Sequence, residues 1–292
     1  MSLEKVNGIV LKSIKYSDTD RIITCYTQEY GKIQCIAKRA RKQKSNFTSN
    51  IDLLTLAEMV IVKKGIKNIY PLREAIILQS YHRLYTDPPR LYAAFYMAEL
   101  IQELTSLEDK RPEILVLLLR QLDMLQKGED KEKLTLIFEA RLLTLLGYQP
   151  QIEKCLFCSA TPSSSASSAS ASSTVSSSSV ASRPVSSSST SSLSTASSSS
   201  SASSSSSAKM GFIPSMGGIV CRDCCRKKHI SGIGVSLGSL NFLRQAIKFD
   251  LLKTDRLCLT AVNRKELQSL LHSFIVYHLD KEIRSYRFLQ IG

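Results

Sequence analysis

The sequence predicts an α+β protein with an N-terminal β-barrel, a bundle of helices and a small element built on four cysteines. Three observations predict this class. Apolar and polar residues alternate through residues 4–80, apolar positions three and four apart recur from residue 91 onward, and two Cys-x-x-Cys pairs lie in the second half of the chain. At 292 residues, the chain is long enough for two or three small domains.

The N-terminal region is predicted to contain five short strands. They are predicted at residues 6–14, 21–27, 32–38, 54–62 and 68–78. Residues 29–31 form a hairpin turn between the second and third strands, and no long helix interrupts the series. We therefore expect a small barrel, for which the OB-fold is the natural candidate of this size.

The helical region begins at Asp87-Pro88-Pro89, because aspartate caps helices and proline is tolerated in a first turn. Helices are predicted at 91–107, 113–126, 131–146, 240–249 and 264–279. Gly147 suits the end of the third helix, and Asn263 with Glu266 suits the start of the last. We expect all of them to pack into one bundle.

The predicted domain boundaries follow from these elements. Serine fills 30 of the 45 positions from 163 to 207, where Arg183 is the one charge, so this insertion cannot bury enough apolar surface to fold and is expected to be flexible or disordered. The predicted units are an OB-fold domain at 1–80, a helical domain at 81–150 and 231–292, and a zinc-ribbon-like element at 151–230 that carries the insertion.

Four cysteines have the spacing of a metal site: Cys155, Cys158, Cys221 and Cys224. Four thiolates leave no open coordination position, so the spacing predicts one structural zinc rather than a catalytic metal. The pairs are 62 residues apart, but two doublings of loop length cost only roughly 1.2 kcal/mol, against about 10–16 kcal/mol for zinc binding. Isolated buried thiols are the alternative.

The other cysteines are expected to have different roles. Cys225 adjoins Cys224 and is a competing ligand, although Cys221 and Cys224 keep the two-residue gap. Cys25, Cys35 and Cys258 lie in apolar periodic segments and are expected to be small core residues.

The net charge of +14 predicts a polyanionic partner, nucleic acid before membrane. Lysine and arginine outnumber aspartate and glutamate by 14 to 7 in residues 1–80 and by 14 to 6 in residues 209–292, so the contact is expected at the ends of the chain. The predicted DNA-binding residues are Lys38, Arg39, Arg41, Lys42 and Lys44 in one loop, with Lys63, Lys64 and Lys67 at the next turn.

Two alternatives accompany this interpretation. The basic loop alone is also consistent with a solvated surface without a ligand. The competing DNA surface is Arg226, Lys227, Lys228, Arg284 and Arg287. Four aromatic residues are candidates for stacking on bases, although each taken alone is more typical of core or surface filling: Tyr16, Tyr26, Tyr30 and Phe47.

Enzymatic activity is not expected. The four histidines form no ligand pair or triad motif, and no phosphate-binding glycine loop is present. Asp18 and Asp20 resemble a carboxylate pair, but their position before a strand favours a turn. No apolar run approaches about 20 residues and the first residues do not resemble a signal peptide, so we expect a protein of the reducing cytoplasm without a membrane partner.

An ordered series of motifs resembles the RecO family of bacterial recombination mediators. The series begins with Tyr16-Ser-Asp-Thr-Asp-Arg-Ile, Glu29-Tyr-Gly-Lys and Ala37-Lys-Arg-Ala-Arg. It continues with Tyr96-Met-Ala-Glu-Leu, Phe138-Glu-Ala-Arg-Leu-Leu and Leu146-Gly-Tyr. It ends with the two cysteine pairs, Tyr277-His-Leu and Ile283-Arg-Ser-Tyr-Arg-Phe-Leu. The series spans nearly the whole chain except residues 159–208.

The resemblance implies a non-enzymatic protein that binds single- and double-stranded DNA, anneals complementary strands and helps to load RecA during recombinational repair of DNA damage. It implies RecR and the acidic tail of the single-strand-binding protein as partners, a nucleoid-associated location in the bacterial cytoplasm, and Arg120 and Arg141 as candidate contacts of that tail. The alternative function is a zinc-ribbon protein that binds RNA or acts in transcription.

Overall fold

The computed structural model describes residues 2–42, 47, 50–63, 69–162, 210–248 and 257–289. The serine-rich insertion at 163–207 and the predicted DNA-binding residues Lys44, Lys64 and Lys67 lie outside the described residues. The mixed α+β class is confirmed.

The N-terminal region is a closed five-stranded barrel, as predicted. Its neighbouring strands follow the order β1, β2, β3, β5, β4, where β1 returns to pair with β4. The parallel pair of β3 with β5 closes the barrel, and all other pairs are antiparallel. The strands are β1 Ser2–Lys15, β2 Arg21–Thr27, β3 Gly31–Ala37, β4 Thr55–Lys63 and β5 Ile69–Ser80.

The barrel core explains the alternation seen in the sequence. In β3, residues alternate between buried and half-buried positions along the whole strand, as expected when one face of a strand points inward. Cys25 and Cys35 are both fully buried in this core, so their prediction as core residues is confirmed.

The five predicted helices begin and end within about three residues of the expected positions, and two short helices, one at 222–228 and one at 286–289, were not predicted. Their bounds are α1 Pro88–Leu104, α2 Pro112–Gln126, α3 Lys131–Leu145, α4 Arg222–Lys228, α5 Leu237–Lys248, α6 Ala261–Leu279 and α7 Tyr286–Leu289. Asp87 caps α1 by accepting a hydrogen bond from the backbone N–H of Arg90 at 3.3 Å. Among the helices in the described ranges, none is both long and apolar enough to cross a bilayer.

The predicted start of α6 is wrong. The helix begins at Ala261, and its cap is Thr260, whose hydroxyl accepts from the backbone N–H of Asn263. Glu266 does not close a capping box at Asn263. Its carboxylate instead accepts a 2.9 Å hydrogen bond from the backbone N–H of Ser236, so a tertiary contact replaces the local one.

A three-stranded sheet joins the two cysteine pairs to the helices. It consists of β6 Met210–Ile213, β7 Gly218–Val220 and β8 Ile233–Val235, in the order β7, β6, β8. Gln151 forms an isolated bridge with Gly218, which ties the segment after α3 to this sheet. The ring of Phe212 in β6 packs edge-on against Phe274 of α6, with centroids 5.5 Å apart.

Close backbone contacts hold the barrel against the helices. Gly31 has φ of +66°, and a Cβ there would lie 2.0 Å from the carbonyl oxygen of Asp109, so this position requires glycine. The neighbouring Lys32 donates through Nζ to the carbonyl oxygens of Gln102, at 2.6 Å, and Thr105. A cation therefore caps the C-terminal end of α1, where free carbonyls carry partial negative charge.

Candidate metal centre and nucleic-acid surface

The four predicted metal ligands converge in one cluster. Cys155 and Cys158 lie in a tight turn in which the backbone N–H of Ser159 donates to the carbonyl of Cys155. Cys221 follows β7 directly and caps α4, and Cys224 lies in the first turn of that helix. The short sheet and the short helix therefore bring together two pairs that are distant in sequence.

The sulfur geometry fits a tetrahedral metal site. All four sulfur atoms lie within 4.8 Å of one another, and those of Cys158 and Cys221 are 3.6 Å apart. Two sulfurs that each lie about 2.3 Å from a tetrahedral zinc are about 3.8 Å apart. The cluster can therefore hold a metal ion of that size.

The electrostatics of the cluster favour a bound cation. Burial raises the pKa of Cys155, but backbone N–H groups of Cys158, Cys221 and Phe157 donate to its sulfur and lower the pKa to about 6. The pKa of Cys224 rises to about 12, first because it donates a hydrogen bond to Cys221 and then because it is desolvated. One thiolate thus opposes ionisation of its neighbours, and four thiolates together require a compensating positive charge.

Cys225 lies outside the cluster. Its thiol contacts the carbonyl oxygen of Val220 at 3.9 Å, and burial raises its pKa. Cys258 is exposed, so its prediction as a core residue is wrong. It lies in the irregular segment before α6, where no strand or helix directs its side chain into the core.

The basic loop projects from one end of the barrel. Lys38, Arg39, Arg41 and Lys42 directly follow β3, and all four are exposed. Arg39 has φ of +57°, and its backbone N–H donates to the carboxylate of Asp20 at 2.8 Å. The loop conformation therefore depends on the turn between β1 and β2.

Asp20 organises this surface without forming a carboxylate pair with Asp18. The hydrogen bonds from the backbone of Arg39 and the side chain of Thr19 lower the pKa of Asp20, which keeps it ionised. Arg41 also donates to the carbonyl of Ser17 at 3.1 Å. The turn function predicted for these aspartates agrees with this geometry.

Tyr16 is the one of the four aromatic candidates that lies exposed beside the basic loop. Its side chain is 62% exposed, whereas Tyr26 and Phe47 are buried in the cores. Tyr26 donates its hydroxyl hydrogen bond to the carbonyl of Arg111, 3.1 Å away, because it packs under the helical domain. Because the rings of Tyr26 and Phe47 are buried, they cannot stack on the bases of a nucleic acid.

Lys63 lies at the other end of the β2–β3 hairpin, next to its turn. Its ammonium is 3.2 Å from the hydroxyl of Tyr30 and 3.9 Å from the carboxylate of Glu4. The seven residues of β3 separate Tyr30 from Lys38, which amounts to roughly 23 Å of strand. The structure therefore does not bring Lys63 together with the basic loop.

Arg141 lines an apolar groove between α2, α3 and α5. The groove has a volume of about 460 Å³, and its floor includes Val116, Leu117 and Ile247. Val116 is 47% exposed. Arg120 is exposed one helical turn beyond Val116 and Leu117 on the same face of α2, so both predicted arginines are near one groove. The sequence reasoning missed Val116, although its spacing from Arg120 marks the shared face.

Comparisons with known proteins cover almost the whole chain. The family model for the N-terminal part of recombination protein O matches residues 1–81, and the model for its C-terminal part matches residues 85–210 and 196–287. These matches include the barrel, the helices and both cysteine pairs.

Individual relatives carry the name "DNA repair protein RecO". The protein of Halalkalibacterium halodurans is 24% identical over 98% of this chain and 93% of its own length. That of Desulfitobacterium hafniense is 27% identical over 98% of this chain and 89% of its own length. That of Caldicellulosiruptor saccharolyticus is 34% identical over 54% of this chain and 64% of its own length. The chain belongs to the RecO family of DNA repair proteins.

Proposed function

We propose that this protein is a non-enzymatic recombination mediator that binds and anneals DNA and helps to load RecA during recombinational DNA repair. The observation that carries the proposal is the exposed basic loop on a closed five-stranded barrel, in a chain whose relatives are named as DNA repair proteins. Those names favour the DNA function over RNA binding or transcription. The proposed location is the bacterial cytoplasm, in association with the nucleoid.

We assign the proposed roles to the domains that the sequence predicts. Residues 1–80 are an OB-fold module that holds DNA, 81–150 and 231–292 form the helical domain, and 151–230 form the zinc-ribbon-like element with its insertion at 163–207. The cations of the basic loop neutralise phosphates and release counterions, so binding depends on salt and little on sequence. Tyr16 offers an exposed ring on which a base can stack beside that loop.

The proposed metal is one structural zinc held by Cys155, Cys158, Cys221 and Cys224. The sulfur separations support a tetrahedral ion. When bound, zinc supplies the charge that holds four thiolates together. The ligand residues in turn fix the turn at 155–159 against α4, and the fold of this element is coupled to metal binding.

The proposed protein partners are RecR, RecA indirectly, and the acidic tail of the single-strand-binding protein. The groove suits that tail because its floor is apolar and Arg141 lines it, and Glu113 is the one acidic residue in the lining. Arg141 has a structural contact as well, since its Nε donates to the carbonyl of Ala246 at 2.8 Å. Val116, an exposed apolar residue on the floor of the groove, is therefore the better position at which to test it.

Removal of one thiolate should release the zinc. We expect the wild-type protein to contain about one zinc per chain and Cys221→Ala to lose it with a lower melting temperature, because a site with three thiolates binds zinc more weakly. Cys225→Ala is the matched control and should retain the metal, since its sulfur lies outside the cluster. Elemental analysis measures both. A metal-free wild-type protein whose four thiols all react with a thiol reagent would rule out the site.

Removal of the loop cations should weaken binding to DNA molecules of unrelated sequence by about the same factor. For Arg39→Ala, Arg41→Ala and Lys42→Ala combined, we expect the slope of log affinity against log salt to flatten by roughly 0.7 for each lost contact with single-stranded DNA. Fluorescence anisotropy with two unrelated oligonucleotides measures the slopes. The control removes the same charge from the helical domain through Lys110→Ala, Lys127→Ala and Lys133→Ala. Equal slopes in the two variants would place the DNA elsewhere.

Substitution on the groove should reduce binding of the acidic tail. A labelled peptide with the C-terminal sequence of a bacterial single-strand-binding protein is expected to bind Val116→Asp more than about tenfold more weakly, because a carboxylate then meets an acidic ligand. Arg120→Ala should also weaken it, whereas Lys127→Ala, just after the end of α2, should not. If Val116→Asp binds the peptide with unchanged affinity, the acidic tail does not bind in this groove.

A further inference from the structure

The segments around the four cysteines, residues 151–162 and 210–236, are called the metal element here. Their surface carries a second set of exposed cations. Arg222, Arg226, Lys227 and Lys228 on α4 are all exposed, as is Lys154 before the first cysteine pair. Arg226 is paired with Asp223 at 2.6 Å. Within the described ranges, Lys154, Arg222 and Lys227 have no acidic partner.

The positive charge on this surface is larger than the negative charge of an occupied metal site. Zinc with four thiolates carries a net charge of about −2. Within the part of the chain that the structure describes, Lys154, Arg222, Lys227 and Lys228 have no carboxylate partner, and the nearby Glu153 pairs with Arg244 and Lys248. The surface therefore remains positive when the site is occupied.

An exposed aromatic ring lies among these cations. Phe157 is between the first two cysteines and is 37% exposed. The ammonium of Lys228 lies 4.5 Å from the centroid of its ring. A cation and an exposed aromatic ring are thus adjacent, which is the combination that proteins use to bind single-stranded nucleic acids.

The surface is separate from the basic loop on the barrel. Helix α4 contacts β6, whose sheet packs on α6, and α6 packs on α3. Helices α1 and α2 then lie between α3 and the barrel. Each helix layer adds about 8–10 Å, so the two surfaces lie on different elements with helices packed between them.

We propose that the exposed face of the metal element, formed by Lys154, Phe157, Arg222, Lys227 and Lys228, is a second binding surface for single-stranded nucleic acid. This inference rests on the proposed function, in which the barrel loop holds one strand. A second surface on the same chain holds the other strand, so that one chain can present two strands for annealing. The serine-rich insertion at 163–207 contains no aspartate or glutamate.

The test counts binding sites for a short oligonucleotide. A labelled oligonucleotide of about eight thymidines, within the usual site size, is titrated onto the full chain. The metal-element variant combines Arg222→Ala, Lys227→Ala and Lys228→Ala, and the loop variant combines Arg39→Ala, Arg41→Ala and Lys42→Ala. We expect two sites on the wild type, one on each variant and none on the combination. Zinc content should remain about one per chain in all of them.

Annealing distinguishes the second surface from general DNA binding. The metal-element variant should keep its barrel site yet anneal complementary strands more slowly than the wild type. Phe157→Leu should weaken the second site by about fivefold or more, and Phe157→Tyr should restore it, since stacking contributes about 1 kcal/mol or more for each base.

Three results would show that the metal element is not a second surface for single-stranded nucleic acid. If the metal-element variant keeps wild-type stoichiometry, salt slope and annealing, the second surface is refuted while the barrel site stands. If this surface binds a polyglutamate peptide as tightly as the oligonucleotide and Phe157→Leu changes neither, its partner is an acidic protein and the proposal is wrong. If the wild type binds no oligonucleotide, the proposed function itself fails.

Discussion

The packing of the helical domain has to accommodate one buried polar pair, Tyr96 and Glu139, which joins two of its helices. The two side chains come from α1 and α3, and the hydroxyl of Tyr96 donates to the carboxyl group of Glu139 at 2.6 Å. Burial raises the pKa of Glu139 to about 8, although the hydrogen bond from Tyr96 opposes the rise. Glu139 is therefore predominantly neutral at pH 7, and the domain avoids the cost of an ionised carboxylate in its core.

The C-terminal segment packs on this pair. The ring of Tyr286 in α7 lies 5.9 Å from that of Tyr96 and stacks on His272 of α6 with centroids 3.6 Å apart. The carboxylate of Glu99, one turn along α1, accepts hydrogen bonds from the backbone N–H groups of Arg284 and Ser285. Four helices thus meet at one place, and the motifs that carry the family resemblance supply these contacts except for His272.

Both proposed nucleic-acid surfaces depend on this helical frame. The barrel is attached to α1 through Lys32, which caps the end of that helix. The metal element is attached to α6 through the ring contact of Phe212 with Phe274 and through Glu266, which accepts hydrogen bonds from Ser236. The helices therefore set the separation and the orientation of the two surfaces.

The sequence predicted the elements whose signals are local. Alternation located the five strands, and cysteine spacing located the metal cluster across 62 intervening residues, because two-residue gaps restrict ligand geometry wherever the pairs lie. Contacts between distant segments could not be predicted in this way. The clash that makes Gly31 necessary, the burial of Tyr26 and the pairing of Tyr96 with Glu139 all arise only when separate segments pack.

Local sequence patterns do not reveal tertiary contacts or irregular segments, and this explains the residues whose roles were predicted wrongly. Asn263 has the local pattern of a helix cap, but Glu266 has a tertiary partner and Thr260 takes the cap. Cys258 has apolar neighbours, but its segment is irregular. Phe157 was missed because one aromatic residue between two cysteines gives no periodic signal, and its role depends on Lys228 in another segment.

The pH dependence of unfolding tests the central role of neutral Glu139 most directly. Its pKa is raised in the folded state, so its stabilising contribution is full below the unfolded pKa of about 4.3 and is lost as the pH rises through about 8. Burial lowers the pKa values of His272 and His278, which confines their effects to lower pH. Between pH 6.5 and 8, the free energy of unfolding of the wild type should therefore fall relative to that of Glu139→Gln.

Urea unfolding of both proteins across this range measures the difference, which should change by about 1.4 kcal/mol for each pH unit near pH 6.5 and by about half of that near pH 8. Glu113→Gln, an exposed position on α2, is the control and should retain the wild-type slope. A parallel pH dependence of Glu139→Gln and the wild type would contradict the account, because Glu139 would then not be held neutral by the fold.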